Sequence, residues 1–391
     1  MTRWILVILL AALTAGVSVA QVAQVAPESP PGRIIAHSAA STQIFLGSPS
    51  LAVLPDGTYI VSHDTFGPGS KEDQVSLFAS RDKGVTWKSL GQVSGQYWSS
   101  IFVARGALYL FGTDRSMGTP VIRRSDNGGA TWTTPLDAST GRFPMPGRYV
   151  TAPVPVLVDH GRIWRSFEIA EGGDLREVVL SAPVDADLLD TTAWSSTTHL
   201  RSDKRWLNGD FLSWEEGNMV STGQALPSVV MRVNSRQGQE KAALASLTAG
   251  ADALSFDPAR DFVDMPGGGK KFTIRFDART KLYWSLTNAV LQNNGHENLE
   301  RVRNTLALIS SPDLHHWTIR RVLMEHPDRQ KHGFQYVDWQ IEGNDIIAVI
   351  RMAFDDAQGG AQSQHNSNYI SFMRFPDFRQ TLMQRPAPAP G

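Results

Sequence analysis

Apolar segments in this chain come in pairs, and a short turn separates the two members of each pair. Turns such as Asp56-Gly57 and His160-Gly161 are typical of β-hairpins. Six such pairs follow one another along the chain, at residues 47–64, 98–115, 149–168, 216–232, 271–288 and 336–351. The pattern therefore predicts six hairpins rather than helices.

A second turn pattern, Ser-x-Asp-x-Gly-x-Thr-Trp, lies outside these hairpins. It occurs at residues 80–87 and 125–132, with Asn127 in the place of Asp82, and a degenerate copy occupies residues 310–317. Asp or Asn accepts hydrogen bonds from backbone N–H groups further along the turn, and Gly supplies a positive φ. Thr and Trp then begin the outgoing strand. We assign this turn a structural role and no chemistry.

Two further strands follow the hairpin in most repeats, so each repeat reads as a four-stranded antiparallel sheet of roughly 40 to 65 residues. Six such sheets predict an all-β fold, a six-bladed β-propeller spanning residues 43–380. The alternative, a sandwich of two sheets, does not explain the regular period.

Composition narrows the possible partners and cofactors. The chain has 391 residues and a formal net charge of −1, which gives no reason to expect nucleic acid or an anionic membrane as partner. It contains no cysteine, which excludes disulfides, thiol catalysis and cysteine-bound zinc. No spacing of His, Asp and Glu suggests a metal site, and no cofactor is expected.

The two ends of the chain read as processing or flexible segments. Residues 1–20 resemble a secretory signal, with Arg3, an apolar run over 5–15 and a small-residue cleavage site at Ser18 and Ala20. This predicts a secreted or periplasmic protein; an uncleaved membrane anchor is the alternative. Residues 21–42 are expected to be flexible, and 381–391 form a Pro-rich tail.

The repeat register brings twelve positions to one mouth of the propeller axis, because inner strands start and second strands end there. The starts are Gly47, Trp98, Tyr149, Glu216, Lys271 and Tyr336, and the ends are Asp64, Arg115, Glu168, Arg232, Asn288 and Arg351. Nearly all are charged, polar or aromatic, which favours a functional mouth over a ring of mutual salt bridges. Trp98, Tyr149, Glu168, Arg115 and Arg351 are candidate ligand-binding residues.

The repeated turn resembles the Asp box of the sialidase (neuraminidase) superfamily, and four further matches concern the active site of that superfamily. Glu216 precedes Arg232 by 16 residues (232 − 216), which is the usual spacing in the superfamily. Arg303 stands in an Arg-x-x-Leu context before the third turn, and Tyr336 opens the last inner strand. Asp64 or Asp73 occupies the region of the acid/base Asp.

The resemblance implies a role for each matched residue. Tyr336 would be the nucleophile and Glu216 its base, while Arg232 and Arg303 would hold the substrate. Asp64 or Asp73 would protonate the leaving group, and Glu72 beside Asp73 could do the same. The first arginine of the sialidase triad is missing, because Gly47 stands in its place.

We therefore expect a secreted glycoside hydrolase of exo-sialidase type that acts on a glycan terminus. With the first arginine missing, simple sialosides are expected to be poor substrates compared with another acidic or hydroxyl-rich glycan. Two alternatives remain open at this point. One is a glycan-binding propeller without catalysis, and the other is a propeller polysaccharide lyase that uses Tyr336 and a histidine.

Overall fold

The computed structural model describes residues 29–293, 295 and 297–382, and the predicted signal peptide lies outside this part of the chain. The described residues form β-strands in six antiparallel sheets, and none of their helices is long and apolar enough to cross a membrane. Short 3-10 turns connect some strands, at Ala40–Thr42, Thr191–Ala193, Leu207–Gly209, Leu299–Arg301 and Phe378–Leu382. The predicted six-bladed propeller is confirmed, although individual blades have three to five strands.

Each of the first three blades is built around one long hairpin near the axis. The strands of blade one are Phe45–Leu46, Ser50–Val53, Tyr59–Phe66, Gln74–Ser80 and Lys88–Ser94. The strands of blade two are Tyr97–Ala104, Ala107–Thr113 and Pro120–Ser125. The strands of blade three are Tyr149–Val150, Leu157–Asp159, Arg162–Glu171, Asp174–Pro183 and Ser195–Ser196.

The last three blades repeat this arrangement. The strands of blade four are Phe211–Val220, Ser228–Ser235, Lys241–Leu247, Leu254–Ser255 and Phe262–Asp264. The strands of blade five are Thr273–Asp277, Leu282–Thr287, Thr305–Ser311 and Thr318–Glu325. The strands of blade six are Gly333–Glu342, Asp345–Ala353, Tyr369–Phe375 and, from the start of the chain, Arg33–His37.

The N-terminal strand closes the propeller and corrects one prediction. Residues 21–42 were expected to be flexible, yet Arg33–His37 pairs antiparallel with Tyr369–Phe375 as the outer strand of blade six. Its sequence contains two isoleucines, and Ile35 is buried between blades six and one. This N-terminal strand completes a sheet formed by C-terminal residues, so the two ends of the chain are joined in one blade. The strand was not predicted, because the residues just upstream are rich in proline.

Apolar packing fills the space between neighbouring blades. Each of the six hydrophobic clusters found among the described residues combines side chains from two adjacent blades. In blades three to six, a buried tryptophan sits in the hairpin beside the axis: Trp164, Trp214, Trp284 and Trp339. This closed ring of packed interfaces leaves polar side chains concentrated at the two ends of the axis.

The three repeated turns connect outer strands, and each is stabilised by side-chain hydrogen bonds of the kind expected from the sequence. Asp82 accepts hydrogen bonds from the backbone N–H and the hydroxyl of Thr86, at 2.9 and 2.5 Å. Asn127 makes the equivalent pair of contacts with Thr131, at 2.9 and 2.8 Å. The indole N–H after each turn donates to a carbonyl of the turn, from Trp87 to Gly84, Trp132 to Gly129 and Trp317 to Leu314.

We predict that Ile35→Ala lowers the free energy of unfolding by about 2–5 kcal/mol, because it leaves a cavity at the closing interface. The matched control is Ile34→Ala, since Ile34 lies on the same strand and is 38% exposed. Its expected effect is within about 0.5 kcal/mol. Equilibrium unfolding in urea measures both, and equal losses would contradict closure by this strand.

Candidate active site

A cavity of about 260 Å³ opens at the mouth where the inner strands start. Its walls combine carboxylates, aromatic rings and one guanidinium group, contributed by Ser48, Asp64, Phe66, Glu72, Tyr97, Trp98, Val150, Thr151, Glu215, Glu216, Tyr336, Arg351 and His365. A larger cavity, of about 380 Å³, lies at the hairpin end of the axis, where Arg275 is the only charged residue in its wall. The titratable groups therefore converge at the first mouth.

The inner strands of blades two, four and six carry the same irregularity at this mouth. Each strand has one residue more than its partner over this stretch, which is a β-bulge. The residue in the bulge has left-handed backbone: Trp98 at φ 46°, Glu216 at φ 60° and Tyr336 at φ 54°. Such backbone costs roughly 1–3 kcal/mol for a residue other than glycine and concentrates at functional sites. All three side chains line the cavity.

Tyr336 lies among guanidinium groups from blades four, five and six. The Cζ atom of Arg351 is 4.5 Å from the centre of the Tyr336 ring, and that of Arg303 is 5.9 Å away. Burial raises the pKa of the phenol and the Glu216 carboxylate adds to this, while Arg232, Arg351 and Arg303 lower it. A phenol in this setting loses its proton only when a base accepts it.

Glu216, the base that the sequence predicts, lines the same cavity as Tyr336. Nη1 of Arg232 donates to Oε2 of Glu216 at 3.2 Å, and Nε of the same arginine donates to the Gly269 carbonyl at 3.0 Å. The two predicted partners thus form an ion pair, in which Glu216 lines the cavity and Arg232 lies behind it. Within the described residues no hydrogen bond joins Glu216 to Tyr336, although both side chains face the same cavity.

Arg303, predicted to hold the substrate, lies beside the nucleophile candidate Tyr336. Its Nη1 donates to Oε1 of Gln335 at 2.6 Å, and its Nε donates to the Glu300 carbonyl at 3.2 Å. Because Gln335 directly precedes Tyr336, these contacts fix the guanidinium relative to the bulge. Arg303 is buried and lies behind the cavity wall.

Asp64 fills the space that the missing arginine would need. Its Oδ1 accepts a hydrogen bond from the Ser48 backbone at 2.7 Å, and its Oδ2 accepts one from the Trp98 backbone at 3.2 Å. A Cβ atom added to Gly47 would lie 1.8 Å from Oδ1 of Asp64. Burial raises the pKa of Asp64 to about 7, and the Ser48 N–H and the Arg351 charge oppose this rise.

The two arginines that were candidates to replace the missing one lie in different surroundings, one exposed and one buried at the cavity. Arg115 is 65% exposed and faces Asp114, so it takes no part in the cavity. Arg351 is buried between the rings of Phe66 and Tyr336, at 4.4 and 4.5 Å, and its Nη2 donates to the His365 carbonyl. Arg351 is therefore the guanidinium that lines the mouth.

Three other sequence candidates lie outside the cavity wall. Tyr149 is a core residue, buried in the apolar cluster between blades two and three. Glu168 has no exposed surface and lies behind Glu216 rather than beside a ligand. Asp73 contributes its backbone carbonyl to a turn before blade two, and its neighbour Glu72 lines the cavity instead.

Several wall residues were not singled out as site residues from the sequence. Glu215 directly precedes Glu216, so β-alternation would send it to the opposite face, whereas Phe66 lies two residues after Asp64 and shares its face. His365 comes from the loop before the last strand of blade six, and burial together with Arg351 and Arg303 lowers its pKa to about 2. A bulge follows Glu215 and a loop carries His365, and repeat register describes neither feature.

Comparison with solved structures places this chain among propellers that include glycoside hydrolases. It superposes on the Penicillium chrysogenum α-L-arabinanase complexed with arabinobiose, with a TM-score of 0.53 and 14% identity over 90% of this chain and 99% of that one. For a Hadza microbial sialidase the TM-score is 0.54, at 13% identity over 88% and 68% of the two chains.

A third similar structure is a protein of unknown function from Dyadobacter fermentans, with a TM-score of 0.56 and 11% identity over 88% of this chain and 97% of that one. At these identities the similarity shows a common fold. The sequence itself matches no protein-family profile, and no curated protein resembles it closely enough to count as a relative.

We predict that Asp64 makes the stability of the protein depend on pH. Its folded pKa of about 7 exceeds the usual value of 3.8, so the folded state holds a proton that the unfolded state releases. The contribution of Asp64 to the free energy of unfolding is therefore complete below about pH 4 and is lost as the pH rises through 7, by roughly 4 kcal/mol. Urea unfolding of the wild type and Asp64→Asn at pH 4.5 and 8 tests this, and parallel losses in both would contradict it.

Proposed function

We propose that this protein is a glycoside hydrolase in which Tyr336 attacks the anomeric carbon and Glu216 accepts the phenol proton. The observation that supports this most is the convergence of three guanidinium groups and one carboxylate on a phenol that borders a cavity. A core tyrosine needs no such surroundings. The structural neighbours named arabinanase and sialidase show that this fold supports glycoside hydrolysis.

The reaction proceeds in two displacements. The Tyr336 oxygen forms a bond to the anomeric carbon as its proton passes to Glu216, and the bond to the leaving oxygen breaks. Asp64, protonated below about pH 7, gives its proton to that oxygen. Water then attacks the glycosyl-tyrosine, with Asp64 accepting a proton from the water and Glu216 returning its proton to the phenol. The anomeric configuration is retained.

The charge of the cavity wall favours a neutral, hydroxyl-rich sugar. Four carboxyl groups face the cavity, from Asp64, Glu72, Glu215 and Glu216, against the single guanidinium of Arg351. Carboxylates accept hydrogen bonds from sugar hydroxyls and repel a sugar carboxylate. Asp64 also stands where an arginine would hold the carboxylate of a sialic acid. One neighbour was solved with arabinobiose, which is a neutral disaccharide.

We further propose that the protein acts outside the cytoplasm, on glycans at or beyond the cell surface. This rests on the signal-like residues 1–20, which lie outside the described part of the chain. The absence of cysteine suits a bacterial periplasmic or extracellular protein that is stabilised by blade packing alone. Amino-terminal sequencing of protein recovered from the culture medium or periplasm tests this assignment.

We predict that Tyr336→Phe and Glu216→Gln each abolish most turnover, with losses of at least about 100-fold in kcat. The double variant should lose little more than either single variant, because the two residues act as one unit. The thermal midpoint of Tyr336→Phe should stay close to that of the wild type, whereas that of Glu216→Gln should fall, because the buried Arg232 loses its nearest carboxylate. Wild-type rates in Tyr336→Phe would refute the nucleophile assignment.

We predict that neutral exo-glycosides are cleaved faster than simple α-sialosides. Loss of one buried charged donor costs about 1.5–3 kcal/mol, or one to two decades in affinity for a carboxylate. A panel of fluorogenic pentosides, hexosides and sialosides measures kcat/KM for each sugar. Preference for the sialoside would contradict the neutral-substrate assignment, and a product that absorbs in the near ultraviolet would indicate a lyase.

A further inference from the structure

A pair of carboxyl groups lies buried in blade three, directly behind Glu216. Glu168 and Glu177 face each other on the neighbouring strands Arg162–Glu171 and Asp174–Pro183, and neither has exposed surface. Two ionised carboxylates this close in a dry site repel each other and lack hydration. A pair of this kind is stable when a proton lies between its oxygens.

Hydrogen bonding and charge around the pair agree with one shared proton. Oε2 of Glu168 and both carboxyl oxygens of Glu177 make no well-formed hydrogen bond within the described residues, although the nearby Ser166 hydroxyl lowers the pKa of Glu177. The guanidinium of Arg165 is also buried and balances a single negative charge on the pair. Glu215 and Glu216 add negative charge from blade four. Burial raises the pKa of both members, and Glu168 raises that of Glu177 further.

The pair touches the backbone immediately after Glu216. Oε1 of Glu168 accepts a hydrogen bond from the Gly217 N–H at 3.1 Å, and the Ser166 hydroxyl donates to the Gly217 carbonyl. A Cβ atom at Gly217 would lie 2.5 Å from Oε1 of Glu177. Glu168, Ser166 and Glu177 of blade three thus all lie close to Gly217, and Glu216 takes its left-handed conformation one residue earlier.

We propose that Glu168 and Glu177 share a proton and act together as positioning residues, holding Gly217 so that Glu216 projects into the cavity. This proposal rests on the proposed role of Glu216 as the base that activates Tyr336. Glu168 touches no substrate, which replaces its sequence-based assignment as a ligand-binding residue. The shared proton keeps Glu168 oriented, because its second oxygen has a donor only while that proton is present.

The first experiment tests the shared proton without any substrate. Urea unfolding between pH 5 and 8 compares the wild type with Glu177→Gln, whose amide N–H donates to Glu168 permanently. Relative to this variant, the folding constant of the wild type should fall up to about tenfold per pH unit. Asp277→Asn is the control, since Asp277 is a buried carboxylate paired with Arg379 at the far end of blade five.

The direction of this pH dependence follows from the raised pKa of the pair. Burial raises the folded pKa of the pair above the usual value of 4.5, so the folded state binds a proton that the unfolded state does not. Stability from the pair is then complete at low pH and lost as the pH rises. Asp277→Asn should lower stability equally at each pH in this range, because the pKa of Asp277 is lowered to about 2. Parallel wild-type and Glu177→Gln curves would overturn the shared proton.

The second experiment tests whether Glu168 fixes the backbone next to Glu216. Amide hydrogen exchange over residues 215–219 should be about tenfold faster or more in Glu168→Ala, which loses the charged acceptor for Gly217. Glu168→Gln keeps an acceptor oxygen and should restore slow exchange. Unchanged exchange in Glu168→Ala would overturn the positioning role, whatever the activity of the protein.

Activity gives an independent reading on the same variants. On the best substrate of the glycoside panel, Glu168→Ala should lower kcat by about 100-fold with a much smaller change in KM, because Glu216 is displaced from Tyr336. Glu168→Gln should recover most of this loss. If Tyr336→Phe remains fully active, the proposed function fails while the exchange result still decides the positioning role. Equal kcat in Glu168→Ala and the wild type would overturn that role.

Discussion

The candidate active site depends on one backbone constraint, which is the extra residue in the inner strands of blades two, four and six. Regular alternation would send Trp98, Glu216 and Tyr336 into packed blade interfaces. The bulge turns each side chain toward the axis, at the cost of left-handed backbone in residues that have a Cβ atom. This strained backbone persists only if the surrounding structure is rigid. The closed ring of apolar interfaces and the contacts around Gly217 supply that rigidity.

The second organising feature is the combination of opposite charges around Tyr336. Four carboxyl groups line the cavity, and the guanidinium groups of Arg351, Arg303 and Arg232 lower the pKa of the phenol. In the proposed reaction the phenol proton has an acceptor in Glu216, and the phenolate has stabilising charges. Packing between two rings keeps Arg351 in place, and within the described part of the chain it makes no salt bridge with a carboxylate. A neutral sugar can then bind without competing for it.

Periodic features could be predicted from the sequence, and features set by loops or chain ends could not. Six hairpins at regular spacing indicated the blades, and their register brought Asp64, Glu216 and Tyr336 to one mouth. Register alone misplaced Tyr149 and Arg115, because the side chain of the first packs into the core and that of the second follows a loop outward. The closing strand Arg33–His37 pairs with residues more than 300 positions away, so no local pattern reveals its partner.

The most direct test of the account is chemical trapping of the intermediate. An activated 2-deoxy-2-fluoro glycoside of the preferred neutral sugar forms the glycosyl-enzyme but slows its hydrolysis, and peptide mass spectrometry then locates the attached sugar. The account predicts a single glycosyl group on Tyr336 and none in the Tyr336→Phe variant. Attachment to Glu216 or Glu215, or turnover with inversion of the anomeric centre, would contradict it.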